Sequence, residues 1–302
     1  MKKMAIIGNC QANALSKFLF SNNKFNTIYE YIDVKPIYLM NENELNYFYT
    51  YTLIQLDLII IQPIHQDFNG NIKYSSKTIL NNTKQDCISI LVPSLYFDFY
   101  HPYLCYLNGV SGKIQEPIDY HDKILIKLYL VYKESSNQYI IDKYMNIFNN
   151  EIFINDLMIN DNLTLALINI EERENNFKNY IVNNTKCIYC YNFIKNTYQN
   201  NLLFYSVNHP SKYLLSYLSD EILKFLNISS EIYPNDLDPF NNLIIPVYNC
   251  LKNVLKFDIN IYNNMCNDTE LYNKYIDIYR DVPDIILSNC VNPSTTNLEY
   301  LL

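Results

Sequence analysis

Tryptophan is missing from this chain, and glycine and histidine are each down to four residues. So few glycines leave no G-x-G-x-x-G turn and no G-x-x-x-x-G-K loop, which argues against the common dinucleotide and P-loop enzymes. Arginine occurs only at Arg173 and Arg280, so bidentate phosphate clamps are scarce. A phosphate-bearing ligand would depend on lysines, backbone N–H groups or helix N-termini. A formal charge of −8 with a pI near 5.0 lacks the excess of positive charge that a nucleic-acid binder normally presents. No run of 18 apolar residues exists, so no transmembrane helix is expected. Met1-Lys2-Lys3 leads into a short apolar run that ends at Gly8 without a small-residue cleavage site, which does not read as a secretory signal. The expected location is the cytoplasm. The eight cysteines (10, 87, 105, 187, 190, 250, 266 and 290) are accordingly expected as buried thiols and not as a disulfide framework.

What is abundant is Asn, Ile, Tyr and Lys, all with AT-rich codons, so much of the bias is genomic in origin. An Asn or Tyr therefore says little, whereas each Gly, His or Pro calls for a physical reason. The 302 residues, 49% of them hydrophobic, suffice for one large domain or two unequal ones with a real core.

Strand and helix signals alternate over the first hundred residues. Met4–Ile7 is a continuous apolar run of the kind found in buried parallel strands. Ala14, Leu15, Phe18 and Leu19 recur at helical spacing. Val34–Met40 reads as a second strand, Asn41–Tyr51 as a helix, Leu56–Ile61 as a third strand, Ser75–Asn81 as a short helix and Cys87–Val92 as a fourth strand. This order implies an α/β fold with a parallel-sheet, three-layer core. From Pro117 the period becomes helical, with Ile124–Tyr132, Tyr139–Phe148, Leu157–Ile170 and Glu171–Ile181 as successive helices. Leu202–Val207 returns to strand character before a Leu-rich helix. The expected organisation is a core over 1–116, a helical insert or cap over 117–200, and a return to the core over 201–302. No internal repeat is found.

The strongest local signal is Gly8-Asn9-Cys10-Gln11, at the carboxyl end of the first strand, where open parallel sheets bind ligands. Gly8 permits a tight turn. Cys10 would begin a helix, where exposed N–H groups and the dipole favour a thiolate and could hold an oxyanion. The competing reading is a buried cysteine in a capped turn. His209, before Pro210, would sit at the end of the strand Leu202–Val207 and serve as a base. His65, His101 and His121 are further candidates, each also readable as a loop or cap residue. Gln62 and Ser94 end the third and fourth strands and would point polar groups over the same edge, although both also suit turn chemistry. The segment Tyr96–Tyr103 could stack on a sugar or base. Cys187-Ile188-Tyr189-Cys190 has metal-like spacing, but no second ligand pair lies nearby, so no metal is expected.

These motifs, Gly-Asn-Cys-Gln after a short strand, Gln62, Pro93-Ser94 with a Tyr-His-Pro segment beyond, and Asn208-His209-Pro210 before a Leu-rich helix, resemble the WcbI-type polysaccharide biosynthesis proteins in order and spacing from residue 4 to about 228. The resemblance implies an acetyltransferase that moves an acetyl group from acetyl-CoA to a sugar hydroxyl of a surface or capsular glycan. It implies Gly8, Asn9, Cys10 and Gln11 as the core of the pocket and His209 as basic partner. Gln62, Ser94, His101, His121 and Asn208 are then candidate contacts to coenzyme A. The chain is more loosely similar to the SGNH hydrolases and acyltransferases, with Gly8-Asn9-Cys10 where those have Gly-Asp-Ser. There Ser206 stands where their aspartate would orient His209. Two other functions fit the same residues: a carbohydrate esterase or deacetylase, and a non-catalytic glycan- or nucleotide-binding protein.

Overall fold

A computed structural model describes residues 1–109, 112–182, 185–263 and 269–291. The chain forms two compact units, one from Met1–Phe97 and Leu165–Leu243, the other from Asp98–Thr164 and Ile244–Leu302. Of the range 117–200 expected as a helical insert, residues 117–164 belong to the second unit and 165–200 to the first. Among the described residues no helix is long and apolar enough to cross a membrane.

The first unit is a parallel α/β sandwich. It opens with β1 (Lys2–Ile7), α1 (Cys10–Ser21), α2 (Asn23–Ile28) and β2 (Tyr29–Tyr31), and continues with α3 (Glu42–Tyr47), β3 (Leu58–Ile61), α4 (Ser76–Asn81) and β4 (Ile88–Leu91). A fifth strand, Lys186–Cys187, completes a sheet of order β2-β1-β3-β4 and then Lys186–Cys187. Every pairing is parallel. β1, β3 and β4 are apolar along their length because both faces are covered. On one face Ala5, Ile7, Ile59, Ile61 and Leu91 pack with Leu45, Phe48, Ile79, Leu80 and Phe177. The other face carries α1 and the helix Lys212–Phe225, joined through Ala14, Phe18 and Leu215. Ile7 is level with Ile61, and Ile61 with Leu91, so Gly8, Gln62 and Val92 leave the sheet side by side.

Three sequence expectations need correction here. The second strand is Tyr29–Tyr31, not Val34–Met40, where the chain makes only a 3-10 turn, Ile37–Leu39. Pro36 lacks an N–H and sits at φ −49°, which suits the entry to that turn and not a ladder. Leu202–Val207 is not a strand of the sheet. The open edge of β4 is taken by Lys186–Cys187, and the 202–207 segment instead folds back on Pro210 in one antiparallel bridge. The two helices expected between 157 and 181 are one helix, Asp156–Asn175, with a 3-10 turn at Asn176–Asn179, since no Pro or Gly interrupts them. Helix α4 is as expected, capped by Ser75, while α3 starts as expected at a full capping box on Asn41 but ends at Tyr47, where a π-helical turn, Phe48–Thr52, takes over.

In the second unit, Asp122 caps the helix Lys123–Tyr132. Its carboxylate accepts from the Ile124 and Leu125 N–H groups at 2.7 and 3.3 Å and from the Tyr144 and Tyr248 hydroxyls at 3.1 and 2.6 Å. Burial pushes this carboxyl up, while its four hydrogen bonds oppose the shift. Beside it, His121 is fully buried. Its Nδ1 lies 3.3 Å from the Tyr279 hydroxyl and its Nε2 3.4 Å from the Ile114 carbonyl, with the Tyr275 ring packed edge-on.

Burial pushes the His121 imidazole down from 6.5 to about 4, so it folds neutral. Between those values the unfolded chain binds the proton and the folded one does not, so stability falls as pH falls through that window. Relative to pH 7.5, His121 should remove on the order of 2 kcal/mol by pH 5. Urea unfolding at both pH values checks this: His121→Gln should show a smaller drop than the unsubstituted protein, and equal drops would refute the assignment.

Candidate functional site

The site lies where the chain reverses direction across the sheet. From β1 it steps outward to β2 and then returns to place β3 on the other side of β1, which opens a crevice between the carboxyl ends of β1 and β3. Asn9 begins α1. Its backbone is extended (φ −84°, ψ −160°), and its side-chain oxygen accepts from the Gln11 N–H at 3.0 Å, as an N-cap should. Its amide nitrogen reaches the Ser94 hydroxyl at 3.3 Å.

Two buried carboxamides fix this turn. Gln62, 5% exposed, accepts the Asn9 N–H at 2.9 Å. It donates to the Gln11 side-chain oxygen at 2.8 Å and to the Pro93 carbonyl at 3.3 Å. Gln11, 3% exposed, donates to the Leu95 and Asn208 carbonyls, both at 2.7 Å, and accepts the Leu95 N–H at 3.0 Å. The four hydrogen-bonding positions of Gln11 are thus filled by protein. Gln11 and Gln62, expected as contacts to a ligand, build the turn that a ligand would meet. Gly8 serves the same contact: a Cβ there would lie 2.4 Å from the Gln62 side-chain oxygen.

Cys10, the first residue of α1, is exposed. The other described cysteines are half-buried or buried. Burial pushes the thiols of Cys87, Cys105 and Cys250 up to about 11, 12 and 12, and those of Cys187, Cys190 and Cys290 upward as well. Cys266 lies outside the described residues. Thiolate chemistry is therefore disfavoured at those six.

His209 reaches the same turn through its neighbour, since the Asn208 carbonyl is held by Gln11. Its position differs from the sequence expectation. It sits in a tight reversal closed by Tyr205 N–H to the His209 carbonyl at 2.8 Å and Ser211 N–H to the Leu203 carbonyl at 2.8 Å. The following helix starts two residues after Pro210, with Ser211 as its N-cap residue. Val207 is tied to Phe97 by an N–H···O bond of 2.8 Å. The half-buried His209 ring stacks on Phe240 at 4.5 Å and 13°. Ser206, at the position of the missing aspartate, is fully buried. The carboxylate bonded nearest in the chain is Asp238, which accepts a hydrogen bond from the hydroxyl of Tyr205, the residue before Ser206. Burial raises the Asp238 carboxyl, and that bond and the Lys212 charge oppose the shift. Phe240 and Asp238 lie in the stretch from Ser229 whose sequence shows no periodic pattern, so no signal pointed to them. The Arg173 guanidinium lies 5.1 Å over the Tyr96 ring.

Eight expected residues thus come together in the first unit: Gly8, Asn9, Cys10, Gln11, Gln62, Ser94, Asn208 and His209. His101 and His121 belong to the second unit, both buried. Among the described residues no group of three or more His, Cys, Asp or Glu side chains could hold a metal.

Residues 3–231 match the family model described as polysaccharide biosynthesis enzyme WcbI. Curated proteins give no match. Among solved structures, the chain is similar to native WcbI, described as a novel polysaccharide biosynthesis enzyme and, in that form, as lacking a disulfide bond between coenzyme A and one of its cysteines. That likeness has a TM-score of 0.79 at 19% identity and covers 96% of this chain and 94% of the other. At that identity it shows a shared fold.

The contact between Gly8 and Gln62 predicts a coupled pair. Gly8→Ala should cost about 1–3 kcal/mol of stability through overpacking. In a Gln62→Ala background, where the clashing atoms are gone, the added cost should fall below about 0.5 kcal/mol. Denaturant unfolding of the four proteins measures the coupling, and simple additivity would contradict the contact.

Proposed function

The chain belongs to the WcbI family of polysaccharide biosynthesis enzymes, and from that premise we propose that it transfers an acyl group from coenzyme A to a carbohydrate hydroxyl. The observation that carries this reading is the exposed Cys10 thiol, set at the start of α1 on a turn that the Gln11–Gln62 pair holds and to which the His209 loop is bonded. The description of the similar structure names a disulfide between coenzyme A and a cysteine as a bond its native form lacks, and a cysteine that can pair with coenzyme A there supports Cys10 as the residue that meets the coenzyme here.

Two routes use these residues. In one, the Cys10 sulfur attacks the thioester carbonyl, coenzyme A leaves as its thiol, and the acyl group passes to the sugar oxygen while His209 takes the hydroxyl proton. In the other, His209 takes that proton as the sugar oxygen attacks the thioester directly, the positive end of the α1 dipole stabilises the oxyanion, and coenzyme A leaves as its thiol with the proton from His209. The stack on Phe240 restricts the imidazole plane in either case. On this reading Gly8, Asn9, Ser94 and Asn208 shape the backbone around Cys10 that the substrates would meet.

Calorimetric titration with coenzyme A and acetyl-CoA tests the donor half, and no binding of either would remove it. His209→Ala should lower turnover roughly 10²–10⁴-fold with donor affinity kept. Cys10→Ala and Cys10→Ser separate the routes: full turnover in both excludes an acyl-cysteine, whereas loss in both, with an acetyl adduct on Cys10 by mass spectrometry, establishes it. Release of acetate from an acetylated glycan without coenzyme A would instead identify an esterase.

A further inference from the structure

On the β2 side of β1, away from the crevice between β1 and β3, the first unit has another cavity, of about 410 Å³. That volume lies in the range of about 300–1,000 Å³ usual for small-ligand sites. One wall is the chain leaving β2, Asp33 to Lys35; the other is α3 with the π-helical turn Phe48–Thr52 that follows it. Such turns occur mostly singly and frequently at functional sites. Both walls are fixed. The Ile32 N–H donates to the Met4 carbonyl at 2.8 Å, which ties the first wall to the sheet. Leu45 and Phe48, both buried, root the second in the core. Lys35 joins the two: its ammonium donates to both Glu44 carboxylate oxygens at 2.9 and 3.0 Å, and one of these also accepts the Asn41 N–H at 2.8 Å.

The lining combines an aromatic ring with polar groups that the protein leaves unpaired. Tyr47 is 62% exposed and Tyr51 56%. Their rings lie against each other, with centroids 5.0 Å apart and planes at 41°, so Tyr47, which lines the cavity, is supported by a second ring. Asp33, Asn43 and Thr52 line it too, and among the described residues their side chains make no hydrogen bond to protein. Because Lys35 and Glu44 neutralise each other, the Asp33 carboxylate leaves the cavity with a net negative charge. A phosphate or carboxylate ligand would be repelled there. A purely apolar ligand would bury these polar groups without partners, which is costly. A neutral ligand with a C–H face and a rim of hydroxyls meets both conditions: the face covers the Tyr47 ring, and the hydroxyls donate to Asp33 and exchange hydrogen bonds with Asn43 and Thr52.

We propose that this cavity is a carbohydrate site that holds a neutral pyranose ring of the polysaccharide. None of the residues that line it belongs to the Cys10 turn or the His209 loop. The sugar class follows from the lining and from membership of a family of polysaccharide biosynthesis enzymes, and it does not rest on the acyl-transfer reading.

The chain contains no tryptophan, so Tyr47→Trp puts a single fluorescent reporter in the cavity. The probes are maltose, cellobiose, lactose and N,N′-diacetylchitobiose, with glucose 1-phosphate as the charged control. At least one disaccharide should shift the emission saturably, and glucose 1-phosphate should not. In calorimetric titration of the full chain with that disaccharide, Tyr47→Ala should weaken binding about 10-fold, while Tyr47→Phe, which keeps the ring, should retain it. Asn43→Ala and Asp33→Ala should each weaken it about 5-fold. These positions are exposed, and unchanged urea unfolding shows that the variants keep their fold. If no disaccharide shifts the emission, or if Tyr47→Ala and Asn43→Ala bind as tightly as the unsubstituted chain, the site is refuted. Coenzyme A, titrated into the same proteins, separates the two readings. Binding of coenzyme A without sugar removes this site alone, and binding of sugar without coenzyme A removes acyl transfer and leaves this site standing.

Discussion

The carboxamide pair Gln11–Gln62 is the constraint on which the site depends. Four segments distant in sequence meet there: the turn after β1, the end of β3, the Pro93–Leu95 exit from β4 and the Asn208 loop. None of these segments is in regular structure at the meeting point, so their backbone groups need partners other than ladder hydrogen bonds. In a buried setting such groups are costly to leave unpaired. Two amides, each offering donors and acceptors, satisfy several at once, and each additional bond fixes the others more firmly. Removing either amide would release the strand ends, the cap and the histidine loop together.

The network also divides labour among residues that are adjacent in sequence. Gln11 turns inward and is consumed in construction, while Cys10, one position earlier, points outward. A helix makes this possible because consecutive residues lie about 100° apart around its axis. Asn9 is occupied by the cap. Gly8 has no side chain because the Gln62 oxygen fills the space a Cβ would take. Of the four residues in the motif, three are spent on shape and Cys10 is the one left exposed.

Much of this was legible in the sequence, for physical reasons. Met4–Ile7 and Leu58–Ile61 are buried on both faces, and such strands declare themselves as unbroken apolar runs. The caps at Asn41 and Ser75 satisfy local donors with local side chains, so they too can be read from neighbouring residues. What could not be read was set by distant pairing. Lys186–Cys187 is a strand because β4 has an edge to fill, whereas Leu202–Val207, far more strand-like in composition, is held by Phe97 and by its own reversal. Phe240 reaches His209 from a stretch whose packing has no period to detect. The motif is visible in the sequence, but that Gln11 belongs to its scaffold appears only once all four of its bonding positions are seen to be taken.

Burial is what finally separates residues that look alike in sequence. Cysteines occur throughout the chain, yet six of the seven described are pushed toward the inert thiol by desolvation, and Cys10 is the one left exposed. The histidines sort in the same way. His121 is buried among tyrosines and held neutral, His101 is buried in the second unit, and His65 is exposed beside a cavity lined by two lysines. His209 alone is half-buried, stacked on an aromatic ring and linked through its neighbour to the Cys10 turn. A general base needs this middle condition: enough burial to fix the ring, and enough solvent contact to take and release a proton. Among the described residues, burial thus leaves one cysteine, Cys10, exposed and one histidine, His209, half-buried, and Gln11 ties the backbone of the two segments that carry them together.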